Sequence, residues 1–449
     1  MRTRLPWRWT VAWLAVLALA GIASSARAQA GLWQSAQWNA ANQSERIMRE
    51  AASRKGMLGQ YLVMRDAYVG DKGRAFQLIF GQYFSWYQSF VGDYLGAQRS
   101  FSINQSAQAH DSPSPVNDPH WRMLPALTAI PAMVKDRRIV MFNEAHHLPL
   151  TRTLTVQLLA ALRQEGFNYF AVETLYAKDT KLARRGYPTA DSGFYTQEPI
   201  CAEMVRTALK LGFRVIAYEA GDDVSGDARE AEQARNIDAQ VFRRDPRARL
   251  VVDAGYSHIQ TSGRYLDGQS MAEHLWKITG IKPFAVEQTM LIPSPAPPQG
   301  EHPTYVAAMA KSAPSQPVVF VSASGQAWSL RPGYDVSVFF PPPHALDGRP
   351  TWADLGGLRH ALPIDADLCR EHFPCLLEAR YADEGGDAVP ADRMLFDPDG
   401  MQSTLLSRSE RGQMILHGVL YLRPGRYQVV AIDAQGNELG RRSIEVPGG

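Results

Sequence analysis

An α/β architecture built on a mostly parallel sheet with flanking helices is expected for this 449-residue chain, with an N-terminal helical region before it and a small β-sandwich-like domain after it. Three observations carry that expectation. The middle of the chain alternates short apolar runs with amphipathic stretches that stop at glycine, the pattern of strand, helix, strand units. Ahead of it, aromatic side chains recur at helical spacing. Behind it, short β-rich runs are separated by Pro-Gly and Gly-Asn turns. A composition of 45% apolar and 20% charged residues excludes a wholly disordered or collagen-like chain, and the length allows two to four domains.

Residues 1–30 read as a signal peptide: an Arg-bearing start, an apolar run from Val11 to Ala23, then small residues with cleavage expected after Ala28 or Ala30. The run is short of the roughly 20 residues that cross a hydrocarbon core, so no stable membrane span is expected after cleavage. Removing residues 1–28 takes away Arg2, Arg4, Arg8 and Arg27 and no acid, leaving 43 bases against 45 acids. That balance gives no basic field for nucleic acid. A periplasmic or secreted location follows. There Cys369 and Cys375 could close a short loop, while Cys201 reads as a buried structural thiol.

The helical region spans 31–110. Phe76, Phe80, Tyr83, Phe84 and Tyr87 lie close to one helical face, as core residues do. The α/β part spans 111–345, with candidate strands at Arg138–Phe142, Tyr169–Glu173, Arg214–Tyr218, Leu250–Ala254 and Val318–Val321. Helices end at Gly166 and Gly212, where a left-handed residue closes the last turn. Residues 346–374 read as a linker. The β domain, 375–449, carries runs at Leu376–Tyr381, Gln413–His417, Arg426–Ile432 and Gly440–Val446.

Chemistry-bearing residues gather where strands end. Glu144, His146 and His147 follow the first strand, Glu173 ends the second, Arg229 and Glu230 lie on a helix, and His258 follows the fourth strand. Open α/β sheets collect their ligands at the carboxyl ends of strands, so these groups can converge despite their separation in sequence. No GxSxG elbow and no HExxH motif occurs, which disfavours a serine esterase and the commonest zinc-protease pattern.

Glu144-Ala145-His146-His147, Glu173, Arg229-Glu230 and Gly255-Tyr256-Ser257-His258 together resemble the superfamily of erythromycin-esterase-like hydrolases, haem-binding ChaN-like proteins and TIKI/TraB-like proteins, over roughly residues 135–290. Ser270-Met271-Ala272-Glu273-His274-Leu275 is similar to the stretch that follows the late His in the esterase-like branch. Asn143 and Ala272 stand where the family patterns carry Gly. His147 matches the esterase-like spacing and His146 the ChaN-like spacing, so the base is either one.

The resemblance implies an exported hydrolase in which a His activates water against an ester, lactone or amide in a small-molecule or peptide substrate. Glu144 or Glu173 would orient that His, and His258 or Arg229 would stabilise the oxyanion. It needs no cofactor, or a divalent metal: His146 or His147 with His258 and Glu173 could hold Zn with water in the open position. The alternative is a periplasmic haem or metal-binding protein.

Overall fold

The computed structural model describes residues 24–101, 107–221, 223–295, 297, 300–398, 405–408 and 414–448. The leader expectation therefore falls mainly on residues 1–23, outside the described residues. Among the described residues no helix is long and apolar enough to cross a membrane.

Four helices open the chain: α1 (Ser24–Ala52), α2 (Gly56–Gly70), α3 (Arg74–Phe90) and α4 (Tyr94–Ser100). β1 (Trp121–Pro125) and α5 (Ala126–Val134) lead into β2 (Ile139–Glu144), α6 (Leu150–Gln164), β3 (Tyr169–Val172), α7 (Leu182–Arg185), α8 (Pro199–Lys210) and β4 (Arg214–Ala217). Then come α9 (Gly226–Gln240), β5 (Leu250–Gly255), α10 (Met271–Thr279), β6 (Phe284–Leu291), α11 (Pro303–Ser312), β7 (Val318–Ser322) and β8 (Val336–Phe339). The short strands β9 (Ala345–Leu346) and β10 (Arg349–Pro350) precede β11 (His360–Asp365), β12 (Cys375–Tyr381), β13 (Asp392–Phe396), β14 (Leu405–Arg408), β15 (Met414–Leu422), β16 (Gly425–Ile432) and β17 (Glu438–Val446).

The central sheet runs β1-β7-β8-β6-β2-β5-β3-β4. Six strands, β8 to β4 in that order, are parallel. β7 joins the β8 edge antiparallel, so the fifth candidate strand runs against the main direction, and β1, antiparallel to β7, runs with it again. Neighbouring residues of one strand feed opposite cores. Val140 and Phe142 pack with α5, α6 and α8, whereas Ile139 and Met141 pack with α9, α10 and α11. A strand buried on both faces needs apolar residues without alternation, which is why these runs stood out.

The aromatic stripe of α3 is buried as expected, and its core extends to Leu376 and Leu395 of the β domain and to Phe194 and Tyr195. The C-terminal domain packs the three-stranded sheet β11-β15-β14 on the four-stranded sheet β13-β12-β16-β17. It begins earlier than the sequence suggested: the segment read as a linker holds β11, which pairs with β15 along six residues from His360 to Asp365. Cys369 and Cys375 form a disulfide, and Cys201 is a buried free thiol. Buried ion pairs Arg206–Glu384 and Arg349–Asp392 tie the β domain to the rest of the chain.

Candidate functional site

The strand order β2-β5-β3 explains the site. β5 lies between the two strands that carry the acids: Gly255 pairs with Glu144 on one side, and Val172, the residue before Glu173, pairs with Asp253 on the other. Gly255 therefore ends the middle strand with a carboxylate-bearing neighbour at each shoulder.

On the β2 side, Glu144 Oε1 accepts from Arg152 Nη2 at 2.9 Å and meets His146 Nδ1 at 2.8 Å, while its Oε2 pairs with Arg152 Nε. Burial pushes the Glu144 carboxyl upward, but the Arg152 guanidinium and His146 outweigh it and hold the acid down to about 2. Arg152 is fully buried on the first turn of α6 and also reaches Glu198 at 3.3 Å. The ring of His146 lies flat on Tyr195, with centroids 4.0 Å apart and planes 11° from parallel, and Tyr256 meets it edge-on at 5.3 Å. Tyr256 occupies the left-handed region at φ 43°, a costly conformation for a bulky residue and of the kind found at functional sites.

On the β3 side, Glu173 Oε1 accepts from Arg229 Nη2 at 2.9 Å and lies 3.3 Å from His258 Nε2. Its Oε2 accepts the Gly255 N–H at 2.5 Å. Arg229 also pairs with Glu219 at 2.7 Å, and His258 Nδ1 lies 2.6 Å from Glu230 Oε2. Burial opposes charging of both partners. Even so, Glu230 and Glu173 raise His258 to about 9, and His258 with Arg229 holds Glu173 well below the usual carboxylate range. His258 is therefore an imidazolium at neutral pH. Its 3.2 Å approach to Arg229 Nη1 places two cations side by side, offset by the surrounding carboxylates.

The two halves face each other across Gly255. A Cβ at this position would lie 2.4 Å from His146 Nε2 and 3.2 Å from Glu173 Oε2. The edge of the His146 ring takes the place a side chain at 255 would fill, so glycine is what lets His146 Nε2 and Glu173 Oε2 approach one another over this strand end. Asp253, one layer below, has its carboxyl pushed far upward by burial and by Glu144.

Six of the seven expected residues, Glu144, His146, Glu173, Arg229, Glu230 and His258, join this cluster. His147 does not. It stacks on Phe101 with centroids 3.6 Å apart, lies 3.5 Å from Tyr256 Oη, and is kept neutral by burial and by His146 and Arg152, which lower it to about 3. The N–H groups of Arg229 and His258, expected at the oxyanion, are turned to Glu173, Glu219 and Glu230. Four contributors were not anticipated. Arg152, inside an amphipathic helix, reads as a solvent-facing charge, and Tyr195 lies in no pattern. Glu219 directly follows the β4 run, and Glu198 precedes Pro199 as an N-cap, so both had a usable signal.

Among the described residues no group of three or more His, Cys, Asp and Glu side chains is arranged to hold a metal ion. The donor chemistry agrees. Both nitrogens of His258 are engaged by carboxylates, Glu173 Oε1 is taken by Arg229 and His258, and His147 is turned to Phe101, so the set His146, His147, Glu173 and His258 as arranged does not fit Zn.

No family model matches the chain, and no curated protein matches it in sequence. Among solved structures, it is similar to the type III effector HopBA1, at 13% identity and a TM-score of 0.28 over 38% of this chain and 88% of that one. It is also similar to RRSP, a MARTX toxin effector domain from Vibrio vulnificus CMCP6, at 15% identity and a TM-score of 0.27 over 51% of each chain. A bacterial protein toxin structure follows at 11% identity and 0.29, with 50% of this chain and 52% of that one covered.

Proposed function

We propose that this chain is an exported hydrolase of the erythromycin-esterase-like type that activates one water between His146 and Glu173 against an ester, lactone or amide. The observation that carries the reading is the convergence of His146 Nε2 and Glu173 Oε2 over Gly255, 2.4 and 3.2 Å from the point where a Cβ would stand. With Nδ1–H donated to Glu144, the assigned tautomer leaves Nε2 as the acceptor. A water bridging the two groups gives one hydrogen to Nε2 and the other to Glu173 Oε2, which already accepts the Gly255 N–H. As its oxygen bonds to the substrate carbonyl carbon, the proton passes to Nε2. Collapse of the tetrahedral intermediate returns that proton to the departing oxygen or nitrogen. Arg229 and His258 keep Glu173 anionic and still, and Glu144 with Arg152 does the same for the His146 ring. Export is supported by the Arg-bearing apolar leader and by the Cys369–Cys375 bond, which suits an oxidising compartment.

The test is Glu173→Gln on a panel of esters and lactones followed by pH-stat. Arg229 keeps Glu219 and His258 keeps Glu230, so the variant stays folded, and turnover falls about 100-fold or more. Unchanged turnover would remove the assignment.

A further inference from the structure

Residues 194–198 form a short bracket between the helical region, the β domain and the site. The Phe194 ring stands edge-on to Trp86, Tyr87 and Phe90 of α3 at 5.7, 6.2 and 5.3 Å. Tyr195 is the ring on which His146 lies. The Gln197 carbonyl accepts from Arg393 Nη1 of β13 at 2.6 Å. Glu198 caps α8 by accepting the Ile200 and Cys201 N–H groups at 2.9 and 2.8 Å, and it also accepts from Arg152 and from Tyr94 Oη.

Arg393 is buried and joins three parts of the chain. Besides Gln197 it donates to the Phe90 carbonyl at the end of α3, at 3.0 Å, and to Glu378 Oε1 of β12, at 2.9 Å. We infer that Arg393 is a positioning residue of the His146 site: it clamps residues 194–198 so that Tyr195 and Glu198 hold His146, Glu144 and Arg152 in register. The C-terminal sandwich is then part of the catalytic unit and not a separate recognition module. The physical reason is geometric. A ring stacked at 4.0 Å follows its partner, and a shift of Tyr195 swings His146 Nε2 relative to Glu173 Oε2, with which it converges over Gly255. Glu198 acts likewise through Arg152, whose guanidinium fixes Glu144.

The inference rests on the hydrolase reading only for its kinetic readout. Full-length Arg393→Met and Arg393→Lys are compared with Arg206→Met, which cuts the buried pair to Glu384 farther along α8 without touching the bracket. Loss of Arg393 leaves Glu378 paired with Arg380 at 2.5 Å, which favours folding. Three quantities are read: kcat and KM, the 15N signal of His146 Nδ1 in histidine-labelled protein, and Tm. Arg393→Met is expected to lower kcat about 10- to 100-fold with KM within about threefold, and to move the Nδ1 signal. Arg393→Lys restores most of both, and Arg206→Met leaves both in place at a comparable drop in Tm. Should Arg393→Met fail to fold, Phe194→Leu loosens the bracket from the helical side and is read the same way. An unmoved Nδ1 signal, or the same losses in Arg206→Met, overturns the inference. A wild-type chain that hydrolyses nothing removes the hydrolase reading, while the Nδ1 comparison still decides the positioning role.

Discussion

Gly255→Ala adds one methyl group where His146 Nε2 and Glu173 Oε2 converge. Gly255 has φ −69° and ψ 139°, a conformation open to any residue, so the substitution brings no backbone strain. The new Cβ would sit 2.4 Å from His146 Nε2, and ordinary contact begins at 3.4 Å, so the ring must retreat by about 1 Å. It has little freedom to do so, being stacked on Tyr195, met by Tyr256 and bonded to Glu144. A 1 Å misplacement of a catalytic group costs on the order of 100-fold, or about 2.7 kcal/mol of barrier. Breaking the charge-assisted bond from Nδ1 to Glu144 costs about 1.5–3 kcal/mol, the same scale. The assay is initial hydrolysis rate by pH-stat, with far-UV circular dichroism and thermal melting as the check on folding. A folded alanine variant that turns over at the wild-type rate would refute the placement of the chemistry between His146 and Glu173.

Stability should peak near neutral pH and fall on both sides. His258 stands at about 9 in the fold against 6.5 unfolded, so its contribution, on the order of 3 kcal/mol, is complete below pH 6.5 and lost as pH rises through 9. His147, lowered to about 3, and Glu144, lowered to about 2, act in the opposite sense: the unfolded chain binds more protons, so stability drains as pH falls from 6.5 and again from 4.5. Tm measured from pH 3 to 10 checks this, and Tm still rising from pH 7 to 9 would contradict the His258 assignment. Reducing the Cys369–Cys375 bond, which closes a short loop, should cost about 2 kcal/mol by loop entropy, and unfolding without reductant should expose one reactive thiol, Cys201. Urea melts with and without reductant and a thiol count in denaturant read both.

The strands that build the site were visible in the sequence because β2, β3 and β5 are buried on both faces and so read as unbroken apolar runs. β6 was hidden by Glu287, Gln288 and Thr289, polar residues in the middle of a buried strand. They are partly satisfied within the fold: Glu287 Oε1 accepts from the Thr289 and Met290 N–H groups, and Gln288 N–H donates to Asn143 Oδ1 at 2.6 Å. Asn143, which looked like a departure at the start of the first motif, locks β2 to β6 and donates to the Tyr256 carbonyl at 2.8 Å. Motif spacing brought Glu144, Glu173, Arg229 and His258 to one rim, yet could not choose between adjacent histidines. That choice depends on Tyr195 and Phe101, each of which takes one ring. Arg152 was illegible for a related reason, since only the spatial meeting of Glu144 and Glu198 turns a helix arginine into a buried partner.

The most direct test sets the two histidines against each other. Hydrolysis rates of His146→Gln and His147→Gln are compared with wild type on the same ester or lactone. His146→Gln is expected to lose about 100-fold or more while His147→Gln stays within about tenfold, because only His146 converges with Glu173 over Gly255. The reverse order, with His147 indispensable and His146 dispensable, would contradict it.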